Sequence, residues 1–327
     1  MNDNYTWGDT ANSFAEIQKV VDKVRNEVQK VIIGQDDLIE LIMVSVFAGG
    51  HVLLEGVPGV AKTLASKLLA QTLNVEFSRI QFTPDMMPSD VTGTSVYNMQ
   101  SAAFNFNKGP VFSNMVLIDE INRAPAKTQA SLFEVMEEKQ VTVDGTTYPM
   151  DFPFMVIATQ NPIEQEGTYK LPEAQLDRFL FRVQLAYPTL EQEQMILKRF
   201  RNDFSKRQVE KVKAVVNAQD VKKCQEIVEK IHIKDELLDY IAALTLNTRN
   251  NGDLFLGASP RASLAIMQAS KAVAAINGRD FVTPDDIQYV AYPVLNHRII
   301  LTPEREMEGM DVRDVIKDII AKVKVPR

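Results

Sequence analysis

Lys62 and Thr63 close the stretch LLEGVPGVAKT, Leu53–Thr63, whose residue types suit phosphate chemistry. The frame is G-x-x-x-x-G-K-[ST], with Ala61 standing where a second glycine is expected. In such a loop, backbone N–H groups at a helix N-terminus cradle phosphates and the helix dipole assists. Lys62 would reach the β- and γ-phosphates, and the Thr63 hydroxyl would coordinate Mg²⁺. Gly56, Val57, Pro58, Gly59, Val60 and Ala61 would supply the cradle. Alanine at position 61 costs nothing if its φ is negative, and ~1–2 kcal/mol if φ is positive.

A second group supports the first. VLIDE, Val116–Glu120, places Asp119 and Glu120 at the carboxyl end of an apolar run. Open α/β sheets bind ligands at that edge. Asp119 suits Mg²⁺ binding, and Glu120 suits polarisation of an attacking water. Asn161 closes a further apolar run, where its amide could orient that water or simply make a turn before Pro162.

These residues need elements to hold them. Helical spacing of apolar residues runs over Ser13–Val31 and from Asp36 or Asp37 through Ala48. Apolar strands are expected at His51–Leu54, Val75–Ile80, Met115–Ile118 and Phe154–Ala158, with a fifth in Arg178–Leu185. Helices over Ala61–Leu73 and Ala126–Glu138 alternate with them, so the sheet should be mostly parallel and covered on both faces. Gln81–Gly109 reads as irregular, and Asp144-Gly145 as the turn of a hairpin over Val141–Tyr148. Beyond Tyr187-Pro188 the pattern is almost wholly helical. Ser259-Pro260 and Thr283-Pro284 each place a capping hydroxyl before a proline, and Gly278 can end the first of those two helices. The expected division is an N-terminal arm over 1–12, an α/β domain over 13–187 and a smaller helical domain over 188–327.

Composition narrows the function. A net charge of −7 argues against general binding to nucleic acid or anionic membranes. Cys224 is the single cysteine, which excludes an internal disulfide framework and suits a reducing cytoplasm. His51, His232 and His297 lack metal-ligand spacing. The longest apolar stretch, near Leu38–Ala48, is too short for a ~20-residue membrane span and carries Glu40. The polar, acidic start MNDNYTWGDT does not read as a signal peptide.

The chain resembles the MoxR family of AAA+ ATPases. The residues that carry the likeness are IGQ at Ile33–Gln35, GVPGVAKT at Gly56–Thr63, VLIDEINRAP at Val116–Pro125, ATQNP at Ala158–Pro162, LPEAQLDRF at Leu171–Phe179 and GASPRA at Gly257–Ala262. The resemblance implies an α/β P-loop core with a five-stranded parallel sheet, a helical lid, ATP and Mg²⁺ as ligands, and assembly into a ring, commonly a hexamer. It implies Ile33 and Gly34 at the adenine, Arg178 as an arginine finger for a neighbour's γ-phosphate, and Arg261 as the lid's phosphate sensor. Arg182 is a weaker alternative finger, and on local sequence Arg178 could instead pair with Asp177 or Glu173. Tyr97–Pro110 and the Val141–Tyr148 hairpin would be the two inserts that face a pore or substrate. The implied role is chaperone-like remodelling of partner complexes, with a separate protein bearing a von Willebrand factor A domain as one partner. A metal-chelatase motor subunit, a nucleic-acid-dependent motor and a nucleotide-gated scaffold are the alternatives.

Overall fold

Strands β1 (Val52–Gly56), β5 (Met115–Asp119) and β8 (Met155–Gln160) are almost continuously buried, as strands covered on both faces must be. With β2 (Phe77–Gln81) and β9 (Phe181–Leu185) they form a parallel sheet in the order β2-β5-β8-β1-β9. The computed structural model describes residues 7–57, 59, 61–100, 102–161, 168–201 and 210–326.

The two faces of the sheet bury different sets of side chains. Val52, Leu54, Leu117 and Ile157 face one apolar cluster, while Leu53, Val116, Ile118 and Val156 face another. Helices α1 (Trp7–Val28), α2 (Asp36–Ala48) and α3 (Lys62–Thr72) cover the first face. On the second lie the short α4 (Pro88–Thr92) and α5 (Ala126–Glu138). Because β8 lies between β1 and β5, its carboxyl end separates the Lys-Thr loop from the Asp-Glu pair.

Two local differences from the sequence pattern stand out. Helix α1 starts at Trp7, six residues ahead of the expected Ser13. The stretch expected to be irregular contains α4 and an antiparallel hairpin of β3 (Gly93–Asn98) and β4 (Ala103–Lys108). That hairpin is mostly exposed, so no buried face imposes an apolar alternation on its sequence. The Asp144-Gly145 turn joins β6 (Gln140–Val143) to β7 (Thr146–Pro149) as expected, with both turn residues at positive φ.

After β9 and the short α6 (Glu173–Leu176) that precedes it, the chain turns helical: α7 (Leu190–Phe200), α8 (Ala218–Glu229), α9 (Asp235–Arg249), α10 (Pro260–Ile276), α11 (Pro284–Leu295), α12 (Pro303–Met307) and α13 (Val312–Lys322). A two-stranded bridge of β10 (Leu254–Leu256) and β11 (Ile300–Leu301) interrupts them. Thr283 caps α11 through a reciprocal box with Asp286, and Gly278 ends α10 at φ 71°. Ser259 departs from expectation. Its hydroxyl makes no capping bond and donates instead to Asp177 Oδ2 at 2.9 Å. No described helix is long and apolar enough to cross a membrane.

Candidate active site

The Lys-Thr loop leaves β1 at Gly56, which is packed so closely on β9 that an added Cβ would lie 3.0 Å from Leu185 Cβ. Lys62 Nζ donates to the Gly56 carbonyl at 2.7 Å, folding the loop back on its own strand. Gly59 has a φ of 89° with open space where a Cβ would stand. Val57 is half-buried beside it. Pro58 and Val60 lie outside the described residues. Ala61 takes the costly branch: its φ is 63°, in the left-handed region, immediately before α3. An L side chain is held there at about 1–2 kcal/mol, which is what the missing glycine would have avoided.

Across the sheet edge, Asp119 is buried and Glu120 stands at φ 56°, another left-handed non-glycine position. Thr159 on β8 links them. Its hydroxyl donates to Asp119 Oδ1 at 3.1 Å and accepts from the Glu120 N–H at 3.0 Å. Thr63 Oγ1 lies 3.5 Å from Asp119 Oδ2, so strand β5 and helix α3 present oxygens toward one point. Arg79 Nε occupies the same carboxylate oxygen at 2.6 Å. Glu120 pairs with Arg123 at 2.8 Å in the single 3-10 turn that follows. Asn161 is buried at the end of β8.

These residues line one cleft of about 340 Å³, walled by Gly59, Ala61, Lys62, Thr63, Asp119 and Glu120, with Arg79, Gln81, Thr159 and Asn161 closing it. The donor set fits Mg²⁺: a threonine hydroxyl and a carboxylate are hard oxygen ligands, and a cationic Arg79 on Asp119 shows that the site favours positive charge. Ile33 and Gly34 do not line that cleft. They precede α2, where Gly34 has a φ of 75° and a Cβ would meet Gln192 Cδ of α7 at 2.4 Å.

The two expected phosphate-reaching arginines also lie outside the cleft, and they lie together. Arg178 donates to Glu137 Oε2 at 2.7 Å and to the Phe133 carbonyl at 3.1 Å. Arg261, in the first turn of α10, donates to Glu137 Oε1 at 2.8 Å. One carboxylate near the end of α5 therefore holds both, rather than Asp177 or Glu173. Arg182 is occupied otherwise, with its guanidinium paired to buried Glu55 and its Nη1 on the Asn296 carbonyl.

The chain matches the model of the ATPase family associated with various cellular activities over residues 51–181 and that of the AAA lid domain over 246–319. It is 44% identical over 310 residues to Chaperone MoxR1 of Mycobacterium tuberculosis, covering 92% of this chain and 81% of that one. The chain belongs to the MoxR family of AAA+ ATPases. A protein named YeaC from Bacillus subtilis is 43% identical over 95% of this chain and 96% of its own. A crystal structure from Cytophaga hutchinsonii superposes with a TM-score of 0.89 at 44% identity, covering 97% and 98% of the two chains. MoxR membership and the AAA lid account for the α/β core followed by helices. Arg79, Gln81, Thr159 and, at the two arginines, Glu137 are site neighbours to which the sequence reading gave no role. Nothing local marks Arg79 or Glu137, whereas Thr159 stood inside the quoted ATQNP.

Proposed function

We propose that this MoxR-family chain hydrolyses ATP, with Mg²⁺, at sites shared between the subunits of a ring, and applies the resulting conformational change to protein partners. One observation carries the reading. Lys62, Thr63, Asp119, Glu120 and Asn161 meet in one cleft, whereas Arg178 and Arg261 stand together on Glu137, outside it. That separation supports a site whose cradle and base come from one subunit and whose cationic partner comes from the next.

In that site, the loop from Gly56 to Ala61 offers its backbone N–H groups to the phosphates, Pro58 having none to give, and Lys62 exchanges the Gly56 carbonyl for phosphate oxygen. Thr63 and Asp119 would hold Mg²⁺, which when bound neutralises charge that develops on the phosphoryl oxygens. Glu120 takes the proton of the attacking water, and the Asn161 amide orients that water. A neighbour's Arg178, and Arg261 beside it, stabilise the transition-state charge; a finger of this kind contributes ~10³–10⁵ in rate. Ile33 and Gly34 would border the adenine. The exposed β3–β4 tip, with Tyr97, Met99 and Phe104, would face the client. Protein complexes, reached through a separate von Willebrand factor A-domain protein in the cytoplasm, are the clients that the family relationship favours. The acidic net charge disfavours nucleic acid.

The test is ATP turnover per subunit across a protein concentration series, with Glu120→Gln and Arg178→Ala alongside. Turnover should rise with concentration and fall by at least ~10³ in both variants. Concentration-independent turnover that survives loss of Arg178 would refute the shared site.

A further inference from the structure

Arg298 follows α11 in the lid, and its side chain is only 3% exposed. A guanidinium has five N–H donors in one plane, and all five are used here. Nε donates to Asp177 Oδ1 at 2.6 Å. Nη1 donates to the carbonyls of Leu180 and Val294, at 3.2 and 2.6 Å. Nη2 donates to the carbonyls of Asp177 and Phe179, at 2.9 and 2.7 Å. Four of those acceptors lie on residues 177–180, on both sides of Arg178. The adjacent lid residues extend the clasp: His297 Nε2 bonds the Phe179 carbonyl at 3.0 Å, and Asn296 Nδ2 donates to the Arg182 carbonyl at 2.9 Å. Ser259, two residues before Arg261, takes the remaining Asp177 oxygen.

Burying the Arg298 guanidinium beside the half-buried Asp177 is a poor device for stability alone, because desolvating the cation is costly and a well-packed apolar residue would hold lid to core as well. A planar five-donor fork does something that an apolar residue does not. It fixes several carbonyls at set distances and angles. The carbonyls fixed here are those of the two-sided backbone frame around Arg178. The far end of that side chain rests on Glu137, which Arg261 of the same lid also holds.

We propose that Arg298 is a positioning residue for Arg178: through Asp177 and the carbonyls of residues 177–180, a subunit's own lid aims the guanidinium that it offers to a neighbour's phosphate. This rests on the reading of Arg178 as that guanidinium. Each subunit's lid placement would then be felt at the next subunit's active site.

The test is a double-mutant cycle of Arg298→Lys with Arg178→Ala, reading kcat, KM, ATP affinity and Tm. Lysine keeps the charge but cannot span five acceptors. Alone it should lower kcat by about ten-fold with KM and ATP affinity within about two-fold, since the site's own cradle is untouched. On the Arg178→Ala background, followed by single turnover with enzyme in excess, the same substitution should cost less than about two-fold. Equal losses in both backgrounds, or an unchanged kcat in Arg298→Lys, would overturn the positioning role while leaving the finger standing. Wild-type turnover in Arg178→Ala alone would sink the finger, and this proposal with it. If Arg298→Lys does not fold, Asp177→Asn keeps the shape, removes the ionic partner and is read by the same criteria.

Discussion

Ala61 shows how a single residue can be chemically competent and conformationally expensive at once. Its N–H is available to phosphate like any other, but its φ of 63° belongs to glycine. Ala61→Gly should therefore retain ATP binding and raise stability by about 1 kcal/mol, the relief at this backbone exceeding glycine's larger unfolded-state entropy. Thermal or urea unfolding reads this directly, and a variant less stable than the parent would show that the loop adapts to alanine. The convergence of Lys62, Thr63, Asp119 and Glu120 on one cleft was legible in sequence because each stands at or just beyond the carboxyl end of a strand, and the strand's apolar run marks the sheet edge. Ala61's φ was not legible, since residue type leaves both signs open. Nor were Arg79 and Glu137, whose partners lie 40 residues away in Asp119 and 41 and 124 away in Arg178 and Arg261. Only the folded chain joins such pairs.

At the scale of elements, His51 ties three of them. It precedes β1, accepts the Val156 N–H of β8 at Nδ1 (2.9 Å) and so must donate from Nε2 to the Met136 carbonyl of α5 (3.1 Å). Protonation would put a second hydrogen where Nδ1 already receives one. Burial pushes this imidazole down to about 4 from 6.5. Between those values the unfolded chain takes up a proton that the folded chain refuses, so this stability is complete above the unfolded value and drains away as pH falls toward the folded one. The loss should approach about 3 kcal/mol. Buried His297, lowered in the same direction chiefly by desolvation, adds to the slope. Urea unfolding from about pH 7.5 to pH 4.5 should show this decline, and His51→Gln should flatten it in part; an unchanged slope in that variant would remove His51 as a cause. The strands and long helices were legible from period and burial, with ends displaced by a few residues. The β3–β4 hairpin was not, because its order comes from cross-strand pairing and from Phe106 stacked on Tyr148 of β7, 4.4 Å between ring centroids, rather than from a buried face.

For the whole molecule, one apolar cluster runs from the sheet through α1 and α2 into α10 and α11, so core and lid share their packing. The polar clasp from Asn296 to Arg298 adds fixed geometry to that shared packing. Domain motions that change the lid's placement would therefore act on both arginine positions together, since Arg261 is carried by the lid and Arg178 is framed by it. The ring reading makes a quantitative demand that no single-subunit site meets. A Lys62→Ala chain lacks a working cradle but keeps its Arg178; an Arg178→Ala chain keeps the cradle and lacks the arginine. Each is inactive alone. Mixed in equal amounts and assembled at random, about one interface in four pairs an intact cradle with an intact arginine. Turnover of the mixture should recover to about a quarter of the wild-type value, measured after subunit exchange at a concentration where the parent is fully active. Were cradle and arginine of one chain to serve the same phosphate, every site in the mixture would carry one lesion and no activity would return.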